Sequence, residues 1–174
     1  MPSSCYQLVF QIRVVAYSPN GLYLSTASDD LTVAIWDAAK GVLVFHFDTD
    51  HVRYPSAINW SSDSSKIVTG AWDNTIRVFD AKTGSLVYKP LTGNTDVPIA
   101  IAFGSSLLHH DIDSEVISGS PHLPLYHRSQ LNLLLVNRNG TARVWELGTK
   151  DLNPTETRSH PKLHRDWVRC LVSL

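Results

Sequence analysis

Cysteine is nearly absent from this chain: Cys5 and Cys170, near opposite ends, are the only two. Neither belongs to a CxxC pair, so a disulfide framework is excluded and a reducing compartment is the simpler setting, with both thiols as small apolar packing groups. Long apolar runs are missing as well. No stretch approaches the roughly 18 residues of a membrane helix. The apolar segment from Cys5 to Tyr17 is broken by Gln7, Gln11 and Arg13, and it lacks the basic leader and cleavage site of a signal peptide. The expectation is an intracellular protein, cytoplasmic or nuclear, with no membrane partner. Charge of one sign is also lacking. Charged residues make up 18% of the chain and the formal net charge is −1, so no basic face is expected for nucleic acid. Motifs of chemistry are absent too: there is no GxSxG, no glycine-rich phosphate loop and no HExxH, and no cofactor or metal is expected.

What the chain does have is an internal repeat. Val33-Ala34-Ile35-Trp36-Asp37 recurs as Ile76-Arg77-Val78-Phe79-Asp80 and as Ala142-Arg143-Val144-Trp145-Glu146. The first two copies lie 43 residues apart and the next two 66 apart. Tyr17, Trp60 and Phe103 keep the 43-residue beat, and each closes an apolar run. Asp30, Asp73 and Asn139 each stand six residues before the aromatic. The 23 extra residues of the third unit therefore fall within 104–130.

Each unit reads as short strands. Apolar and polar residues alternate with period two around Val33 and Ile35 and their counterparts. Pro19-Asn20-Gly21 and Ser61–Ser65 separate first strands from second. Asp29-Asp30-Leu31, Trp72-Asp73-Asn74 and Arg138-Asn139-Gly140 separate second from third. Lys40-Gly41 and Thr83-Gly84 introduce fourth strands, expected at Val42–Phe47 and Ser85–Lys89. Four short strands in each unit, with no helical period, match a propeller blade.

The segments Leu24–Asp37, Ile67–Asp80 and Leu133–Glu146 resemble the cores of WD repeats. The resemblance implies an all-β fold: a partial β-propeller of three four-stranded antiparallel blades plus the first strand of a fourth. The blades are expected at about 13–47, 56–89 and 98–159, with the incomplete fourth at 164–174. The family's structural hydrogen-bond network maps only in part. The first blade has Ser28, Asp30 and Trp36, with Leu8 at the histidine position. The second has His51 and Asp73, with Ala71 and Phe79 unable to hydrogen-bond. The third has Trp145, with Asn94, Asn137 and Asn139 replacing the usual partners, and His164 opens the next unit. The resemblance also implies a rim built from loops leading into first strands and from turns joining second to third. Asp29, Tyr54, Trp72, Arg138 and Trp167 fall there, and Val97 shares the position of Tyr54. Tyr, Trp and Arg are enriched at interface hot spots. The plainer alternative is that Tyr54 and Trp72 pack between blades.

Three blades do not close a ring. The expectation is a piece of a longer protein, a truncated reading of its gene, or an arc completed by another chain. The insert, with His109, His110, Asp111, Asp113, His122 and His127, reads as a solvated loop because the spacing matches no metal-ligand pattern. Similarly, His51 and Asp73 fall on structural positions and not on a catalytic triad. The ligase-adaptor pattern Trp-Asp-x-Arg and the lipid-binding Phe-Arg-Arg-Gly are both missing. A non-catalytic protein-interaction scaffold is therefore the expected function. Its alternatives are an enzyme using a rim pocket and a non-functional remnant.

Overall fold

A computed structural model describes residues 10–105, 131–147 and 155–160. The described residues form eleven strands and no helix. The first sheet runs in the order β1 (Ile12–Tyr17), β2 (Tyr23–Ser28), β3 (Thr32–Asp37), β4 (Leu43–Asp48). The second holds β5 (Pro55–Trp60), β6 (Lys66–Ala71) and β7 (Ile76–Asp80). In the third, β8 (Pro98–Ser105) pairs with β9 (Leu131–Asn137), then β10 (Ala142–Leu147) and β11 (Thr155–His160). All neighbours are antiparallel.

The first strands carry the packing between sheets: β5 lies against both β1 and β8. Alternation explains which faces meet. Ile35, Phe45 and Phe47 point from the first sheet onto Trp60 and Ile67 of the second. Ala57, Val68 and Val78 point from the other face of the second sheet onto Ile101, Leu133 and Trp145 of the third. The Trp60 indole N–H donates to Ser25 Oγ at 2.8 Å, so the aromatic at the end of β5 also ties two blades together. Gly70 belongs to this second interface. A Cβ there would stand 2.8 Å from Ile101 and Pro98, so glycine permits the close approach of β6 to β8.

One expectation differs from what is found. Ser85–Lys89 is not a fourth strand of the second blade. Instead, two isolated bridges, Phe79 to Leu86 and Ile76 to Leu91, hold this segment against β7. The chain reaches Pro90 between them, and proline has no N–H to donate to a ladder. The fourth strand of the first blade, Leu43–Asp48, lies one residue beyond the expected span. The expected strand at 164–174 and the insert at 106–130 lie outside the described residues.

The turns repeat as closely as the strands. Asp30 Oδ1 accepts from the Thr32 N–H at 3.0 Å and the Thr32 hydroxyl at 2.7 Å. Asp73 does the same with Thr75, and Asn139 with Thr141. The residue after the acid or amide takes a left-handed conformation in each turn: Leu31 at φ 70°, Asn74 at 62° and Gly140 at 82°. A leucine in that region costs about 1–2 kcal/mol in Cβ strain. Leu31→Gly should therefore raise stability by about 1 kcal/mol, read as a higher midpoint in urea with an unchanged slope.

Candidate functional site

Three backbone hydrogen bonds repeat along one edge of the sheets. The N–H groups of Asp29, Trp72 and Arg138, each at the start of a turn, donate to the carbonyls of Gln11, Tyr54 and Val97 at 3.0, 2.9 and 2.8 Å. They fix each turn beside the loop that leads into the first strand of its own blade. The register then slips at Ile12/Val14, Pro55/Ala57 and Pro98/Ala100, leaving Arg13, Ser56 and Ile99 as the extra residues. Such bulges re-aim a side chain at a sheet edge. Arg13 is turned so that its guanidinium grips Asp29 through two bonds and lies 5.1 Å from the Tyr54 ring centroid.

The third blade mirrors this with the charges exchanged. Arg138, in the turn, donates to Asp96 Oδ1 at 2.9 Å and Oδ2 at 3.3 Å, and its guanidinium sits 5.0 Å from the Trp72 ring centroid. Asp96 is held below the ordinary carboxylate range, first by the Val97 N–H and then by Arg138. The result is a continuous strip across three blades: Asp29, Arg13, Tyr54, Trp72, Arg138, Asp96. Tyr54 and Trp72 are about half exposed, at 51% and 47%. The structure thus brings together four of the rim residues singled out in the sequence, Asp29, Tyr54, Trp72 and Arg138. Val97, at the position of Tyr54, is buried. Trp167 lies outside the described residues. Arg13 and Asp96 escape a sequence reading because their partners are 16 and 42 residues away.

A buried network supports the strip from beneath. His51 Nδ1 donates to Asp73 Oδ2 at 3.0 Å, and the Thr69 hydroxyl donates to Nε2 at 2.9 Å. A carboxylate can only accept, which fixes this tautomer. Asp73 Oδ2 also accepts from the Val52 N–H at 3.1 Å, so the same carboxylate pins the loop that presents Tyr54. Burial holds the His51 imidazole below its ordinary value despite the attraction of Asp73. The ring is therefore neutral near neutral pH, and the contact is a hydrogen bond, not an ion pair. Burial also opposes the charge on Asp73, but bonds from Thr75 and the neighbouring His51 outweigh it and leave its pKa lowered.

A histidine with a folded pKa below its unfolded value of 6.5 contributes stability above pH 6.5 and loses it as pH falls toward the folded value. The melting temperature should drop on acidification below about pH 6.5, and His51→Gln should flatten that slope. Asp73, lowered from 3.8, adds its own loss only at still lower pH. Thermal melts across this range check both.

In the first blade the bonded hydroxyl is that of Thr26, not Ser28. Trp36 Nε1 donates to Thr26 Oγ1 at 3.0 Å, while Ser28 is buried beside the turn and receives only a long 3.5 Å bond from the Asp30 N–H. Positions 26 and 28 share a face of β2, so alternation alone does not separate them. Thr69 is the matching hydroxyl in the second blade. In the third the position is Leu135, and the Trp145 indole N–H is buried without a hydrogen-bond partner. The Oδ1 atoms of Asn94 and Asn137 are likewise unpaired there. Trp36→Phe should thus cost about 1 kcal/mol more than Trp145→Phe, because only the first breaks a bond. Equal losses in chemical denaturation would contradict this. His164 lies outside the described residues.

Sheets packed through their first strands, with turns and loops gathered at one edge, define this molecule as a segment of a β-propeller. Residues 6–37 and 41–80 match the family model "WD domain, G-beta repeat". These two stretches are WD repeats by that match, and the fold is that of a WD-repeat β-propeller. The chain is 27% identical to Pre-rRNA-processing protein IPI3 of Mycosarcoma maydis over 92% of this chain and 27% of that protein. It is 36% identical to Ribosome biogenesis protein ERB1 of Scheffersomyces stipitis over 31% of this chain and 7% of that protein. The chain therefore spans about a quarter of the first relative's length. Among solved structures, U3-55K superposes with a TM-score of 0.65 at 14% identity, over 90% of this chain and 41% of that chain. The WD40 repeats of RRP9 give 0.63 at 14% identity, over 87% and 38%.

Proposed function

We propose that this chain is a non-catalytic protein-interaction scaffold, part of a longer propeller whose further blades come from the same protein or another chain. The supporting observation is the rim strip. Tyr54 and Trp72 stand half exposed while stacked against Arg13 and Arg138, each arginine being fixed by a bidentate carboxylate. Groups already ordered in the free protein lose little entropy on binding, and Trp, Tyr and Arg carry most interface energy. Relatives with ribosome-biogenesis and pre-rRNA-processing names make the assembly of ribosomes, and a nuclear location, the proposed setting.

The test is affinity capture by the full-length protein with a mass-spectrometric readout, comparing wild type with Tyr54→Ala, Trp72→Ala and Arg138→Ala. Partners lost from all three variants at nearly fixed melting temperature support the rim. Variants that melt early yet capture the same partners once folded would make these residues packing groups.

A further inference from the structure

We propose that the rim strip receives an extended peptide in which a carboxylate side chain adjoins a bulky apolar one, the carboxylate meeting Arg53 and the apolar group meeting Val52, Tyr54 and Trp72. This rests on the reading of the rim as a docking surface and adds the chemistry of its occupant.

Arg53 occupies in the second blade the position that Asp96 occupies in the third, immediately before the loop residue whose carbonyl holds the turn. In the third blade the turn residue is Arg138, and the two charges pair. In the second blade the turn residue is Trp72, which has no charge to offer. Arg53 is exposed and takes part in none of the ion pairs among the described residues. The loop that carries Tyr54 thus holds, immediately before it in the chain, a cation with no ion pair among the described residues.

Around Arg53 the apolar surface is open and its backbone is fixed. Val52 is 78% exposed, yet its N–H is held by Asp73, and Tyr54 and Trp72 are joined by a main-chain bond. An exposed valine on a fixed backbone, two residues from Tyr54 in the same loop, offers with the two half-exposed rings apolar surface for one large side chain. The guanidinium of Arg53, carried between Val52 and Tyr54 in the chain, favours a carboxylate, which it can meet with two parallel bonds.

Charge decides between a peptide and a nucleic acid. Binding a phosphate backbone relies on several cations that release counterions. Here Arg13 and Arg138 are already neutralised by Asp29 and Asp96, and the exposed carboxylate of Asp50, in the same loop as Arg53, faces Arg77 at 3.9 Å. One free arginine among these carboxylates suits a single acidic side chain better than a polyanion.

The experiment is fluorescence anisotropy with the full chain and three labelled probes: the peptide Gly-Glu-Leu-Phe-Glu-Gly, its counterpart with both Glu replaced by Gln, and a short oligouridylate. The acidic peptide is expected to bind at least about tenfold more tightly than the Gln peptide, and both peptides more tightly than the RNA. Arg53→Glu should abolish the preference for Glu over Gln, and Trp72→Ala should weaken both peptides, with melting temperatures unchanged. Equal binding of the two peptides, a preference retained in Arg53→Glu, tighter binding of the oligouridylate, or no binding of any probe would each overturn the proposal. If the probes fail while Tyr54 and Trp72 variants still lose partner capture, only the occupant's chemistry falls. If capture also survives those variants, the rim reading falls with it.

Discussion

Replacing Asp73 with alanine should lower stability by about 3 kcal/mol, because one carboxylate satisfies four donors. They are His51 Nδ1–H, the Val52 N–H, the Thr75 N–H and the Thr75 hydroxyl. The bond from His51 is lost from a buried setting: its side chain is 1% exposed and that of Asp73 is 6%. For a chain of this size the expected fall in melting temperature is roughly 6–12 °C. Asp73→Asn keeps an acceptor for part of the set and should lose less. Because Val52 is released as well, the rim loop loosens, and partner affinity should fall together with stability. Asp30→Ala should also lower the melting temperature, through the loss of its two Thr32 bonds, but no histidine depends on it among the described residues. A variant of either aspartate with unchanged melting and altered binding would contradict a folding role.

Gly84→Ala should be comparably damaging, for a different reason. Gly84 adopts φ +69°, and an added Cβ would lie 2.7 Å from Phe47 Cγ and 2.8 Å from Phe47 Cβ. The left-handed backbone costs about 1–2 kcal/mol for any residue with a Cβ. Overlap with a ring that already packs 5.1 Å from Phe79 adds about 1–3 kcal/mol of overpacking. The combined loss is about 3 kcal/mol, visible as a lower urea midpoint. Phe47→Leu in the Gly84→Ala background should recover part of the overlap but none of the backbone strain. Full recovery would mean that the backbone conformation is not strained.

The parts legible in the sequence are those that depend on period. The beat of Tyr17, Trp60 and Phe103 places first strands, and the turns before Trp36, Phe79 and Trp145 place second and third strands, because alternation and turn chemistry are local. The second blade's lack of a fourth strand was not legible, since Ser85–Lys89 is strand-like in composition and yet the chain here pairs with β7 only through single bridges at Leu86 and Leu91. The choice between Ser28 and Thr26 was not legible either: both are small hydroxyl residues on one face of β2. At the rim, the turn residues were readable from their positions, but Arg13 and Asp96 were not. A bulge re-aims Arg13, and nothing local marks it beyond its spacing of 43 residues from Ser56, which occupies the same bulge position in the second blade. The unmatched charge of Arg53 emerges only when the three blades are superposed position by position.

In the function proposed above, partners dock on the edge bearing Tyr54 and Trp72. A photo-crosslinking residue placed at position 54, and in a parallel protein at position 40 in the turn between β3 and β4 on the opposite edge, tests it most directly. Partner adducts are expected from position 54 and none from position 40, with cross-linked peptides of the partner rich in acidic and bulky apolar residues. Adducts arising only from position 40, or equally from both, would contradict it.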